Sequence, residues 1–118
     1  MELLIKYTVL DIKFKSDKYK KSRGGYSRLL DISCAKCGQH LCFYQKDGPG
    51  ILKRMYLDRI YESTQFSNLE NKPLKNIPQL HCPNCSQLIG IPYIYEKEKR
   101  LAFRLFVGGV LKKITKSK

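Results

Sequence analysis

Apolar residues along this chain come in short runs, mostly in alternation or as β-branched and aromatic clusters, and polar stretches with glycine or proline punctuate them. Residues 2–15, "ELLIKYTVLDIKFK", read as one long strand or two short ones. A polar, basic loop follows over 16–26, "SDKYKKSRGGY". "SRLLDIS" and "QHLCFYQK" are strand patterns on either side of a cysteine pair, and "DGPG", 47–50, is a turn signal. Residues 51–62, "ILKRMYLDRIYE", fit two classes. Apolar positions 52, 55, 56 and 60 match a helical period, while the turn flanks and β-branched content favour a strand, the preferred assignment. Residues 63–79 carry two prolines and three asparagines and read as a long insertion loop. "LIGIPYIYEK" predicts a strand in which Pro92 favours an edge or bulge. A charged turn, "EKEKR", leads to "LAFRLFVGGVLKKI", a final strand that kinks or ends near Gly108 and Gly109, and to a basic tail, 112–118. The pattern predicts a mostly β single domain over 1–118.

Four of the five cysteines change that picture. Cys34 and Cys37 form one C-x-x-C, Cys82 and Cys85 another, with 44 residues between the pairs. Two such pairs supply four thiolates, the number a tetrahedral Zn²⁺ takes, and the two-residue spacing lets both sulfurs of a pair face one ion from a tight turn. Gly38 after the first pair, and Pro83 and Asn84 inside the second, are turn residues. The connection exceeds that of a compact zinc ribbon, so the pairs are expected on two separate β-hairpins pinned by one structural zinc. Iron is the alternative metal. Cys42, in an apolar run, reads as a buried small hydrophobe. His40 and His81 are weaker ligand candidates, since His81 would point away from an ion bound by Cys82 if the backbone is extended.

A closed four-cysteine sphere leaves no position for a catalytic water, and the chain has no HExxH, GxSxG, phosphate loop or deaminase His-x-Glu triplet. An enzyme is therefore not the expectation. A redox C-x-x-C would use one pair and leave the other idle.

The 118 residues carry 23 Lys and Arg against 10 Asp and Glu, a formal charge of +13. One Zn²⁺ with four thiolates lowers the folded charge by two. A domain this basic attracts polyanions, namely RNA, DNA or an anionic membrane surface. No apolar run approaches the roughly 20 residues of a membrane span, and the start of the chain is too short and too charged for a signal peptide. A cytoplasmic protein is the expectation, and a reducing compartment favours metal-bound over disulfide-linked cysteines.

Cys34 and Cys37 on one hairpin, Cys82 and Cys85 on another, "LIG" after the second pair, an aromatic strand, a charged turn and "LAFRLF" together resemble the Mss4-like, or β-tent, group of zinc-ribbon-related domains. The group includes the Yippee proteins and methionine sulfoxide reductase B. The resemblance spans about residues 28–107 and implies a zinc-ribbon or β-tent-like fold. It does not carry an activity: the reductases need a late catalytic cysteine, and every cysteine after Cys42 is a metal-ligand candidate. The Rab-binding branch has an acidic-leaning surface, unlike this basic chain. The block "QKDGPGILKRMYLDRI" looks similar only to small uncharacterised bacterial proteins.

Positive charge concentrates at 13–28 and 97–118. In the first segment Lys18, Lys20, Lys21, Arg23 and Arg28 are candidate phosphate contacts, with Tyr19 and Tyr26 as stacking platforms. Lys53 and Arg54 add charge from the middle of the chain. The expected function is a non-enzymatic structural-zinc protein that binds RNA or another nucleic acid, with ribosomal RNA among the candidates. The alternative is a Mss4-like protein-binding adaptor or chaperone module that uses the 47–60 hairpin and the 63–79 loop.

Overall fold

The alternation in "SRLLDISC" and "HLCFYQKD" becomes a hairpin of strands β1, Ser27–Cys34, and β2, His40–Asp47. Their register pairs Leu30 with Tyr44 and Ile32 with Cys42. Cross-strand partners point to one face, so these four, all buried, line one side. The computed structural model describes residues 12–63, 69 and 71–115. Among these residues the chain adds β3, Arg54–Tyr56; β4, Ile60–Tyr61; β5, Leu80–His81; β6, Leu88–Tyr95; β7, Arg100–Leu105; and β8, Val110–Thr115. Two antiparallel sheets result, ordered β4-β2-β1-β8 and β3-β7-β6-β5. Their facing sides share one core that includes Leu30, Ile32 and Tyr44 from the first sheet and Met55, Leu80, Ile89 and Phe103 from the second.

The chain passes between the sheets four times, twice through a short turn. One is a 3-10 turn, Leu57–Arg59, between β3 and β4. The other is the turn between β7 and β8, where Gly108 has φ 74° and Gly109 N–H donates to the Phe106 carbonyl. The predicted final strand is thus two strands in different sheets. The 51–62 assignment to strand holds for β3 and β4, with the 3-10 turn between them accounting for the helical spacing.

Three expectations need correction. The loop at 16–26 contains a helix, α1, Lys18–Ser22, because Asp17 caps it: its carboxylate accepts from the Tyr19 and Lys20 N–H groups. The tail at 112–118 is strand as far as Thr115, since β8 finds the free side of β1. The strand expected over 2–15 lies outside the described residues up to position 11, and 12–15 are not strand. Gln45 instead ties that segment down through its side chain, accepting from Lys15 N–H and donating to the Lys15 carbonyl, both at 2.8 Å. Within 63–79, Leu69 and Ile77 are buried in the core and Leu74–Asn76 form a 3-10 turn. Positions 64–68 and 70 lie outside the described residues.

Candidate metal centre and basic groove

Each cysteine pair occupies a hairpin turn, and the two turns repeat one hydrogen-bond pattern. In "CAKCGQ", Gly38 N–H donates to the Cys34 carbonyl and Cys34 N–H to the Gln39 carbonyl, both at 2.8 Å. In "CPNCSQ", Ser86 N–H donates to the Cys82 carbonyl and Cys82 N–H to the Gln87 carbonyl, both at 2.9 Å. The residue after each second cysteine is left-handed, Gly38 at φ 82° and Ser86 at φ 65°. Both hairpins also slip register just before the first cysteine, at Ile32/Ser33 and at Leu80/His81. The bulge re-aims the strand end.

These turns bring Cys34, Cys37, Cys82 and Cys85 together, as the spacing predicts. All four sulfurs lie within 4.8 Å of one another. Cys34 and Cys85 are 3.7 Å apart, Cys37 and Cys82 3.5 Å. A tetrahedral ion with sulfur bonds near 2.3 Å requires separations of about 3.8 Å, so the cluster fits a metal. Donors around the sulfurs fit it as well. Asn84 N–H and Cys85 N–H point at Cys82 Sγ at 3.4 and 3.5 Å, and Asn84 Nδ2 points at Cys37 Sγ at 3.4 Å. Such N–H groups stabilise thiolate charge and orient the ligand.

The Asn84 amide, followed by the Gln39 backbone N–H, pulls the Cys37 thiol down to about 6. At Cys85 the Gln87 N–H also acts downward, but desolvation and the three neighbouring thiols outweigh it and push the group up to about 11. Four sulfurs this close cannot all ionise without a cation between them. The remaining candidates stand outside the cluster. His40 Nδ1 faces Asp31 Oδ1 at 2.7 Å, and its ring packs on Phe43. His81 is exposed. Cys42 is buried, and desolvation, with Asp31 second, pushes its thiol up to about 12.

The basic residues divide into two sets. Arg23 and Tyr19 belong to the fold. Arg23 pairs with Glu98 at 2.8 Å and donates to the Tyr56 hydroxyl. The Arg100 guanidinium lies 4.0 Å from the Tyr19 ring centre and 3.7 Å from that of Tyr56, and it pairs with Asp58 at 2.7 Å. These contacts pin α1 to the second sheet. Lys18 and Lys20 lie over Tyr19 and Phe14, Lys21 is exposed, and Tyr26 is half exposed. Lys18, Lys20, Lys21 and Tyr26 do not line the cavities that Lys53 and Arg54 face.

Lys53 and Arg54 instead face two adjoining cavities, of about 350 and 770 Å³, that share the wall Ile51–Arg54. Arg23 and Lys46 line the smaller, Arg104 and Lys112 the larger. Asp47 is the single carboxylate in either wall, and it is bound to Arg59 at 3.0 Å. Tyr93, Tyr95 and Phe106 supply aromatic surface in the larger cavity. Arg54 is anchored by Tyr93, whose hydroxyl accepts from its Nε at 2.9 Å, and by the Tyr95 ring at 4.2 Å. Lys46, Arg104, Lys112 and the tyrosines escape sequence reading. The cue to them is strand register, counted outward from the cysteine turns.

Register produces an unusual feature. Arg54 pairs directly with Arg104 across β3 and β7, and Arg28 with Lys46 across β1 and β2. Like charges placed opposite one another destabilise a sheet. No family model matches the chain, and neither the curated proteins nor the solved structures yield a significant match. The likeness to the β-tent group therefore rests on the residues quoted for it.

Proposed function

We propose that this protein is a zinc-held β module that binds single-stranded nucleic acid, RNA foremost, along the groove on both sides of Ile51–Arg54. Four thiolates favour zinc and close its coordination sphere, which suits a structural role. The zinc would fix the hairpin ends so that both sheets keep their register. The observation that carries the binding reading is the pair of like-charge cross-strand contacts, Arg54–Arg104 and Arg28–Lys46, beside a groove with one neutralised acid and six cations, of which Arg23 alone has a carboxylate partner among the described residues. A backbone phosphate between such cations relieves their repulsion, and Tyr93, Tyr95 and Phe106 offer surfaces for unpaired bases.

The test is fluorescence anisotropy of the metal-loaded protein with a labelled single-stranded RNA from low to physiological salt. Binding should weaken steeply with salt, with a slope of about 0.7 per neutralised phosphate. Replacing Lys53, Arg104 and Lys112 by Ser should lower affinity and flatten that slope, whereas replacing Lys18, Lys20 and Lys21 should do little. The groove assignment fails if the helix lysines matter more. A protein-binding role has its own supporting observation, the exposed Ile51, Phe106 and Val107 beside the groove. Absence of RNA binding at physiological salt would favour it.

A further inference from the structure

The smaller cavity is built differently from the groove it joins. Its walls include the end of β2 and the 47–50 turn, with Tyr44, Gln45 and Asp47 buried in them. It shares the wall Ile51–Arg54 with the larger cavity. The turn is pressed against the end of α1: Gly48 has φ 73°, and a Cβ there would stand 2.4 Å from the Arg23 carbonyl oxygen. That close approach holds Arg23 beside Lys46.

Among the described residues, Arg23 alone of the cations lining this pocket has a carboxylate partner, Glu98. Asp47 is committed to Arg59, to Gln45 Nε2 and to the Ser27 hydroxyl. Among the described residues Lys46 Nζ donates only to the carbonyls of Gly48 and Pro49, at 3.2 and 3.1 Å. Arg28, its cross-strand partner, reaches the Gly48 carbonyl at 3.5 Å and keeps a buried Nε with no partner. Among the described residues no carboxylate forms an ion pair with Lys46, Arg28, Lys53 or Arg54. Desolvation, then Arg28 and Arg23, push the Lys46 ammonium below its ordinary range, and Asp47 counters them only in part.

Resting on the groove as a strand-binding site, we infer that this pocket holds the end of the strand and recognises a terminal phosphomonoester in preference to an internal diester. A monoester carries about −1.5 to −2 near neutral pH, against −1 for a diester. It presents three oxygens to converging donors and needs room for only one chain arm. The nucleosides that follow would run past Lys53 into the larger cavity.

The test uses the full metal-loaded chain and three internally labelled RNAs of one sequence, with a 5′-phosphate, a 3′-phosphate or hydroxyls at both ends. One phosphorylated RNA should bind at least about tenfold tighter than the hydroxyl form, about 1.4 kcal/mol, and which one does identifies the end. Lys46→Gln should remove this preference: the phosphorylated RNA should lose at least about tenfold in affinity, while the hydroxyl RNA should lose only the smaller share of one groove cation. Lys112→Gln, in the larger cavity, should weaken all three RNAs alike. The preference should also fade below about pH 6 as the monoester takes up a proton. Equal binding of the three RNAs overturns the end pocket and leaves the groove standing. Equal weakening of all three by Lys46→Gln, with circular dichroism unchanged, overturns it too. No binding of any RNA overturns both.

Discussion

Arg59 is the most consequential charge in the fold. Its side chain is 1% exposed and reaches three carboxylates: Asp47 Oδ2 at 3.0 Å, Asp17 Oδ1 at 2.7 Å and Asp58 Oδ1 at 3.8 Å. Its guanidinium is held above the ordinary range because the Asp17 bond and the Asp47 and Asp58 charges outweigh desolvation. Consider Arg59→Met, which keeps the stem and removes the charge. Asp58 retains Arg100, and Asp17, more than a third exposed, retains its helix N–H groups. Asp47, 5% exposed, loses its only cation and keeps two neutral donors, Gln45 and Ser27. Breaking one partner of a buried ion pair costs roughly 3–5 kcal/mol, and the two surviving donors argue for the lower end, about 3 kcal/mol. In urea that is a midpoint shift of about 1–2 M for a slope of about 2 kcal/mol/M. Adding Asp47→Asn should recover about 2 kcal/mol, because the orphaned charge is then gone. Metal-saturated urea unfolding of the four proteins in the cycle is the assay. A loss under about 1 kcal/mol for Arg59→Met, or no recovery in the double variant, would refute the account.

Three further outcomes follow from the metal centre and its turns. Cys82→Ser should bind well under one metal ion per chain and lose cooperative unfolding, read by metal analysis and calorimetry, since the cluster joins segments 44 residues apart. In the metal-loaded protein iodoacetamide at pH 8 should leave Cys42 unmodified, its thiol being buried and pushed up to about 12, while unfolding in denaturant exposes it to labelling. Ser86→Gly should stabilise the protein by about 0.5–1 kcal/mol, because φ 65° strains a side-chain-bearing residue and glycine occupies the matching position 38. Destabilisation by Ser86→Gly would mean that the side chain matters more than the backbone.

The four clustered cysteines are legible in the sequence because their geometry is local: two residues between sulfurs and a turn-forming residue after them. The strand class is legible for the same reason, in "SRLLDISC" and "LIGIPYIY". The basic site is not, because it depends on pairing between distant segments. Arg23 looks like a free cation in a loop, yet its partner Glu98 is 75 residues away. Tyr19 looks like a stacking platform for a base, yet Arg100 already lies against its ring. Conversely Arg104 and Lys112 look like scattered charges in an apolar strand, and only the turn between β7 and β8 brings them to one cavity. The helix at 18–22 escapes notice because five basic and polar residues show no period, and the cap at Asp17 that starts it is one residue long.

The like-charge pairs also make a prediction that separates binding from stability. Arg54 and Arg104 face each other in an edge pairing of three residues, whose other two pairs, Met55–Phe103 and Tyr56–Ala102, are buried. Arg54 is engaged by Tyr93 and Tyr95, whereas Arg104 is exposed. Arg104→Gln should therefore remove repulsion without removing an anchor, and raise stability by about 0.3–0.8 kcal/mol at low salt. The gain should shrink as salt screens the pair. On the proposed function the same change should weaken RNA binding, since it would delete one phosphate contact and about 0.7 from the salt slope. Higher stability with lower affinity is the signature of a charge kept for a ligand. The metal centre explains how the fold tolerates such pairs. Cys34 and His40 close the first hairpin about 20 Å along the strands from Arg28 and Lys46, so an ion held by the four cysteines would fix the register that sets the cations opposite one another from a distance. If Arg104→Gln lowers stability at low salt, the pair is structural and the groove loses its main support.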